Sequence, residues 1–232
     1  KAIRRQRQMC IRDSAGIYTY ATYFINSFIM VIPTTLLTIA SSALVAYGFA
    51  RFNFPFKKQL FAILIATLML PNSVIIIPRY VLFNKFGWVD SYMPFWVPAL
   101  LACYPFFIYQ LIQFMRGIPR DLDESACIDG CGTFRIFWQI LLPLMKPAIA
   151  VQAIFSFVSS WNNYFTPALV LHDDKKKTLP ILIAQLRGAD WLKFDMGQVY
   201  VMITFSILPV IVVYLILSKH IVQGVALGSV KG

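Results

Sequence analysis

Few residues in this sequence have the types and spacing that catalysis or metal binding requires. Only two histidines occur, His172 and His220, and no nucleophile–base set is visible around either of them. Cys127 and Cys131 could share a helix face, but two thiols without a nearby histidine do not make a zinc site. No glycine-rich loop followed by lysine is present to cradle a phosphate. The sequence therefore predicts no enzyme, no cofactor and no metal.

Four of the ten acidic residues lie between residues 119 and 143, where they suit a short helix. Their spacing lacks the pattern of a calcium-binding loop. Asp121 can cap the helix, with Glu124 three residues later, which is the arrangement of a capping box. Acidic side chains in a first turn also complement the positive end of the helix dipole.

A second short helix is predicted after a turn in the same segment. Gly130 and Gly132 permit the turn, and Thr133 can cap the helix that follows. Pro143 ends this helix before the next apolar stretch. The apolar positions of the helix follow one helical stripe: Phe134, Phe137, Trp138 and Leu141.

Long apolar stretches must position this 119–143 segment. Apolar residues make up 59% of the 232 residues and charged residues 13%, whereas soluble domains carry about 25% charged residues. Five stretches contain no charged residue, and each has the length of about 20 residues that a helix needs to cross a bilayer. These stretches lie between Asp13 and Arg51, Lys58 and Arg79, Asp90 and Arg116, Lys146 and Asp173, and Asp195 and Lys219.

The predicted fold is an all-α membrane protein, a polytopic helical bundle of about five transmembrane helices and a short helix pair outside the bilayer. The expected spans are residues 23–50, 60–77, 95–114, 147–169 and 196–217, within one transmembrane domain over 15–232. Counting Lys and Arg in the connections mildly favours a cytoplasmic location for residues 116–142 and the C-terminus.

The formal charge of +11 does not indicate a nucleic-acid partner. Single-strand binding needs a basic groove with stacking aromatic residues, whereas the basic residues here lie between the apolar stretches. That distribution is typical of membrane proteins, so the expected surroundings are lipid.

The 119–143 segment resembles the EAA loop of the inner-membrane subunits of ATP-binding-cassette (ABC) importers. The family pattern is Glu-Ala-Ala, three residues, Gly, nine residues, Ile, any residue, Leu, Pro. This chain keeps every spacing and departs from the pattern only at Ser125. The matching residues are Glu124, Ser125, Ala126, Gly130, Ile140, Leu142 and Pro143, with Asp129 beside Gly130.

The resemblance implies mechanical coupling to a cytoplasmic dimer of ATPase subunits. The first short helix would enter a cleft on an ATPase subunit, where Glu124 would pair with a basic group and Gly130 would allow the bend. A second permease subunit and an extracytoplasmic solute-binding protein complete the assembly that the resemblance implies. The expected location is the prokaryotic inner membrane, as a multi-pass protein.

Other motifs resemble the maltose-type sugar permeases, and the second permease of that group in particular. Asn26-Ser27 and the run 46–51 are similar to those permeases, as are the run 161–164 and the ending 224–232. The implied substrate is a carbohydrate, and the candidates for lining its path are Trp161, Asn162, Asn163 and Tyr164. The tail that would reach the ATPase interface contains Gly228, Lys231 and Gly232.

Two alternatives stay open at this stage. The coupling pattern is shared by importers of other solutes, such as peptides or polyamines. A self-contained channel or secondary transporter is the second alternative, although it would typically show an intramembrane charge or an inverted repeat. For the run 161–164, interhelical hydrogen bonds and interfacial anchoring are a simpler explanation than substrate contact.

The first residues of the chain resemble foreign sequence. Met9 to Ser14 is similar to one reading frame of an adaptor used in sequencing libraries. We therefore expect residues 1–14 to be an assembly artefact, and a native N-terminal part, with one further helix, to precede the remainder.

Overall fold

A computed structural model of the chain describes residues 20–188 and 196–229. These residues form helices joined by turns, with no strand in the described part of the chain. A π-helical turn, Phe137–Leu141, separates two of the helices. The helices are α1 (Tyr20–Arg51), α2 (Lys57–Leu68), α3 (Asn72–Lys85), α4 (Met93–Leu100), α5 (Pro105–Arg116), α6 (Asp121–Ile128), α7 (Thr133–Ile136), α8 (Leu142–Leu144), α9 (Lys146–Trp161), α10 (Phe165–Val170), α11 (Leu179–Gly188) and α12 (Met196–Ser229).

The described residues divide into two compact units. Unit 1 contains residues 20–34, 72–97, 157–188 and 196–213, and unit 2 contains residues 35–71, 98–156 and 214–229. The helices α1, α4, α9 and α12 each contribute residues to both units.

The core of unit 2 is built on two stripes with the same helical spacing. In α1 the stripe consists mainly of small residues, which let another helix backbone approach closely. In α5 it consists of larger apolar residues, and both stripes pack against residues that lie between α6 and α9. The α1 stripe is Ala43, Ala46, Tyr47 and Ala50, and the α5 stripe is Ile108, Leu111, Ile112 and Met115.

The core of unit 1 is an aromatic cluster around Trp161. The Trp161 ring stacks on Phe157 with ring centroids 5.6 Å apart and meets Phe28 at 4.9 Å. The indole N–H donates a hydrogen bond to the Ser206 carbonyl oxygen at 3.0 Å. Aliphatic residues of α11 and α12 complete this core, among them Leu182 and Met202.

Within the described residues, three helical stretches are long and apolar enough to cross a membrane. They are Tyr20–Arg51, Met93–Arg116, which contains α4 and α5, and Val199–Lys219. The number becomes five if each of two further helix pairs with a short break counts as one span. The prediction of an all-helical membrane protein is confirmed.

We expected one continuous helix over residues 60–77, but the structure contains two helices there. The helix breaks at Pro71, which has no N–H to donate and disfavours helical geometry in the residue before it. The end of α2 tightens first, because the N–H of Met69 bonds to the Ala66 carbonyl three residues back. The helix α3 then continues to Lys85, so Arg79 and Lys85 lie in a helix that extends beyond the span we predicted to end at residue 77.

Residues 147–169 are also interrupted. The helix α9 ends at Trp161, and α10 begins only at Phe165. The Asn163 side chain occupies this break and accepts a hydrogen bond from the Thr166 N–H at 3.3 Å. An asparagine that binds the backbone nearby competes with a continuous helix, which explains the break.

Asp90 holds two connections of unit 1 together. Its carboxylate accepts hydrogen bonds from the N–H groups of His172 at 2.5 Å and Asp173 at 2.9 Å. Its own N–H donates to the Val170 carbonyl at 3.0 Å, and the Lys176 ammonium donates to its carbonyl at 2.6 Å. Bonds from the Asp173 and His172 N–H groups hold the pKa of Asp90 below its ordinary value.

We predict that the stability contributed by the ionised Asp90 carboxylate is lost in acid. Because the pKa in the folded chain lies below the unfolded value of about 4, the contribution is complete above that value and is lost as pH falls through the folded pKa. The measurement is the thermal midpoint of the detergent-solubilised chain and of Asp90→Asn between pH 3 and pH 7. The parent should be more stable at pH 7, and the two curves should converge in acid. A difference that is the same at every pH would contradict the prediction.

Candidate functional site

The helix α6 carries the Glu124 motif and rests on unit 2 through two residues. Ala126 is buried in the unit 2 core, whereas Glu124 and Ser125 are exposed. On the buried side, the Arg51 Nε lies 2.8 Å from the Asp123 Oδ2, and these side chains are only 7% and 19% exposed. The Nε–H group of Arg51 does not meet hydrogen-bond geometry with this oxygen, so the contact is an ion pair.

The Arg51 guanidinium also fixes the chain that leads into α6. Its two terminal nitrogens donate to the Ile118 carbonyl oxygen at 3.2 and 3.1 Å. The Arg120 guanidinium contacts the Ala50 carbonyl at 3.4 Å. The last turn of α1 is therefore joined to the connection between α5 and α6.

The capping box that we predicted for α6 is absent. Arg120 adopts helical angles and is the N-cap, so Asp121 is already inside the helix and makes no capping bond. The N–H groups of Asp123 and Glu124 donate to the Arg120 carbonyl at 2.8 and 3.1 Å. The Glu124 carboxylate is consequently left without an ion pair or hydrogen bond within the described residues, and it points away from the core as an exposed side chain.

Gly130 ends α6 in a Schellman motif. Its φ of +80° lies in the left-handed region, which glycine adopts without steric cost. The Gly130 N–H donates to Cys127, and the Cys131 N–H donates to Ala126, at 3.0 and 2.9 Å. These two bonds satisfy carbonyls that the end of a helix otherwise leaves unpaired. The turn that we predicted at Gly130 is present, and it requires this glycine.

The stripe that we predicted for the second helix is wrong, because its members face two directions. Phe137 and Leu141 are buried in the unit 2 core, whereas Phe134 is 75% and Trp138 is 60% exposed. The inward positions recur every four residues at 137, 141 and 145. The π-helical turn, in which the Leu142 N–H reaches back to the Phe137 carbonyl, has more residues per turn than an α-helix and suits this interval.

The remaining motif residues lie around this turn. Ile140 and Leu142 are half-buried against the unit 2 core, and Pro143 is exposed. Asp129 is exposed at the end of α6. After Leu144 the chain bends by 75° into α9.

The outer surface of the 119–143 segment combines apolar and acidic side chains. Ile128 is 87% exposed, and Phe134 and Trp138 lie exposed after it in the chain. Asp121, Glu124 and Asp129 are exposed in the same segment. Exposed apolar groups rimmed by charges are typical of a protein-binding surface.

The second candidate site contains the run 161–164, and its residues differ in position. Trp161 is buried in the aromatic cluster, and the Asn163 side chain accepts a hydrogen bond from the first turn of α10, so both have structural contacts. Asn162 and Tyr164 are exposed. A cavity of about 330 Å³ lies here, lined by Trp161, Asn162, Tyr164, Leu179, Pro180, Ile183, Ala184 and Ser206.

The predicted tail falls only partly within the structure. Gly228 lies in α12, which continues to Ser229 and so extends beyond the span that we predicted to end at residue 217. Lys231 and Gly232 lie outside the described residues, as do residues 1–14. The described residues contain no group of three or more His, Cys, Asp or Glu side chains that could hold a metal ion.

Comparison with known proteins supplies the family. The model of the binding-protein-dependent transport system inner membrane component matches residues 15–227. The chain belongs to this family. It is accordingly a multi-pass component of the prokaryotic inner membrane and a transport subunit, not an enzyme.

Individual relatives agree with this assignment. The arabinooligosaccharides transport system permease protein AraQ of Bacillus subtilis is 35% identical over 92% of this chain and 74% of its own length. The diacetylchitobiose uptake system permease protein NgcG of Streptomyces coelicolor is 31% identical over 90% of this chain and 69% of its own length.

A solved structure shows the same fold. It is a bacterial ABC transporter involved in the import of the acidic polysaccharide alginate. The matched chain has a TM-score of 0.76 and 22% identity, over 86% of this chain and 74% of its own.

We predict that Gly130→Ala destabilises this permease, whereas Gly132→Ala does not. A Cβ atom would meet no neighbour at either glycine, but only Gly130 has a positive φ. The left-handed conformation costs an alanine about 1–2 kcal/mol. Thermal unfolding in detergent should show a lower midpoint for Gly130→Ala alone. Equal midpoints for the two variants would contradict the role of Gly130 in ending α6.

Proposed function

We propose that this permease translocates a carbohydrate across the inner membrane in an ABC importer, using ATP that a partner ATPase dimer hydrolyses. The observation that carries the proposal is the Glu124–Pro143 pattern on an exposed segment of unit 2, joined to the end of α1 through Arg51. Importer relatives named for arabinooligosaccharides and diacetylchitobiose support the choice of a sugar. Family membership removes the stand-alone channel from consideration.

The helix α6 is the element that we assign to the ATPase contact. Glu124 is exposed and has no partner within the described residues, so its carboxylate is available to a cation on another protein. Ile128, Phe134 and Trp138 offer apolar area that would be covered when an ATPase subunit binds. The acidic rim would select a basic cleft.

Coupling also needs a stiff connection between α6 and the membrane helices. The ion pair of Arg51 with Asp123 and the burial of Ala126 provide it on the α1 side. The π-helical turn and Pro143 provide it on the α9 side, where Leu141 and Met145 are fully buried. A movement of α6 would therefore be passed to α1 and α9.

The other partners in this proposal are a second permease subunit and an extracytoplasmic solute-binding protein. Gly228, Lys231 and Gly232 belong to the C-terminal part that we assign to the ATPase interface, with Gly228 in the helical portion. This placement rests on the resemblance of residues 224–232 to the tail of maltose-type second permeases.

For the sugar path, we assign contact to Asn162 and Tyr164 and a supporting role to Trp161 and Asn163. Asn162 and Tyr164 are exposed and line the cavity, so an amide and a phenol ring are free to meet hydroxyl groups and sugar faces. The Trp161 N–H is already bonded to Ser206, which leaves the indole to shape the wall.

We expect Glu124→Lys to abolish retention of the ATPase when the assembled importer is purified through the permease. Reversal of the charge would repel the basic cleft, and Glu124→Gln should weaken retention less. The matched control is Asp174→Lys, an exposed acid of unit 1 with the same charge change. Retention that is equal in Glu124→Lys and the parent would refute the α6 assignment.

We expect Asn162→Ala and Tyr164→Ala each to raise the half-saturating sugar concentration for transport about fivefold. This corresponds to the loss of one net hydrogen bond or ring contact of about 1 kcal/mol. Retention of the ATPase should not change. Phe165→Ala is the control, since this exposed neighbour does not line the cavity. The measurement is uptake of an arabino-oligosaccharide with maltose or a tripeptide as competitor. Competition by the tripeptide but not by maltose would contradict the assignment of a carbohydrate substrate.

A further inference from the structure

A group of cations gathers at one end of unit 2, beside the start of α6. Lys57 and Lys58 form the first turn of α2, Arg116 is the last residue of α5, and Arg120 precedes α6. We call these four residues the basic cluster. Lys57, Arg116 and Arg120 come from separate parts of the chain and are brought together by the fold, and Lys58 follows Lys57 in the sequence.

Contacts hold the basic cluster in place. The Arg116 guanidinium lies over the Phe61 ring, 4.8 Å from its centroid. The Lys57 ammonium donates to the Phe52 carbonyl at 2.7 Å, and Arg120 contacts the Ala50 carbonyl. Lys57 lies close enough to Arg116 and Arg120 for their charges to repel its own.

The basic cluster has no ion-pair partner within the described residues, and Asp123 is engaged by Arg51. The first turn of α2 contains no acidic residue. The first turn of α6 does contain acids, but exposed Asp121 and Glu124 form no ion pair with Arg120. Like charges that are held together without an ion-paired acid favour the binding of an anion from outside the protein.

The surroundings indicate which anion is available. The basic cluster lies where apolar helices end, and α2 buries none of its residues within the described chain. Leu60 and Ile63 are exposed one and two turns beyond Lys57, and Phe52 and Phe56 are exposed beside it. Apolar side chains directly beside cations match the boundary between lipid tails and headgroups.

We propose that the basic cluster binds the phosphate of an anionic phospholipid headgroup, with the acyl chains lying along the exposed face of α2. Lys57 and Arg120 contact the phosphate, and Lys58 and Arg116 add to the positive potential. The ligand chemistry is a phosphate diester at a membrane surface, where each Lys or Arg contributes about fivefold in affinity.

The test uses the full chain in nanodiscs of phosphatidylcholine with increasing phosphatidylglycerol. Native mass spectrometry counts the phosphatidylglycerol molecules retained, and the thermal midpoint reports stabilisation. The parent should retain phosphatidylglycerol and gain stability with it. Lys57→Gln/Arg120→Gln should lose about 25-fold in affinity, at about fivefold for each cation.

The control Arg79→Gln/Lys85→Gln removes the same charge from α3 in unit 1 and should respond as the parent does. Lys58→Gln is an exposed single change that should lose about fivefold, and it tests the site even if the double variant does not fold. Inorganic phosphate separates the sources of the anion, because equal stabilisation of the parent by phosphate in phosphatidylcholine discs would overturn the lipid assignment. Full lipid affinity in Lys57→Gln/Arg120→Gln would also overturn the lipid assignment, whether or not this variant still retains the ATPase.

Discussion

The ion pair between Arg51 and Asp123 is the interaction on which the arrangement of the 119–143 segment depends. The helix α6 has eight residues and buries only Ala126, so its apolar contacts are too few to hold it. Arg51 supplies the missing attachment and also binds the Ile118 carbonyl. Because both charges are largely removed from water, the loss of either partner would leave the other buried and uncompensated. The position of Glu124 therefore depends on an arginine 73 residues earlier in the chain.

The need to satisfy backbone hydrogen bonds at each helix break explains much of the remaining architecture. An unpaired N–H or carbonyl that is shielded from water is costly, so breaks occur where side chains or altered turns replace the lost bonds. Asn163 provides a side-chain acceptor at the break between α9 and α10. A π-helical turn precedes Pro143, and the Schellman bonds at Gly130 serve the same purpose at the end of α6. These breaks coincide with the two candidate sites, because they free polar groups and allow irregular backbone.

The sequence was sufficient for the helical class, the apolar helices and the spacing of the coupling motif, since these depend on local composition and period. It was insufficient wherever a distant residue or an unusual turn decides the outcome. The spacing of Asp121 and Glu124 fits a capping box, but Arg51 recruits Asp123, and the helix begins one residue earlier. The stripe from Phe134 to Leu141 divides because the π-helical turn changes the rotation per residue. Trp161 has an aromatic face of the kind that stacks on sugar rings, yet neighbouring aromatic rings enclose it.

The two ends of α6 differ in the way they are restrained, and this difference bears on how force would pass through the permease. At its start, α6 is tied by charge to α1, and Arg120 adds a contact to the Ala50 carbonyl. At its end, Gly130 and the π-helical turn connect it to α9 through a backbone whose inward side chains are fully buried. A push on the exposed face of α6 would thus reach α1 through an ion pair and α9 through close packing. Both routes are stiff, because the ion pair is largely removed from water and the packed side chains leave no room to shift. An anion bound at Lys57 and Arg120 would lie beside the route through the ion pair, so its headgroup would influence how firmly α6 is held.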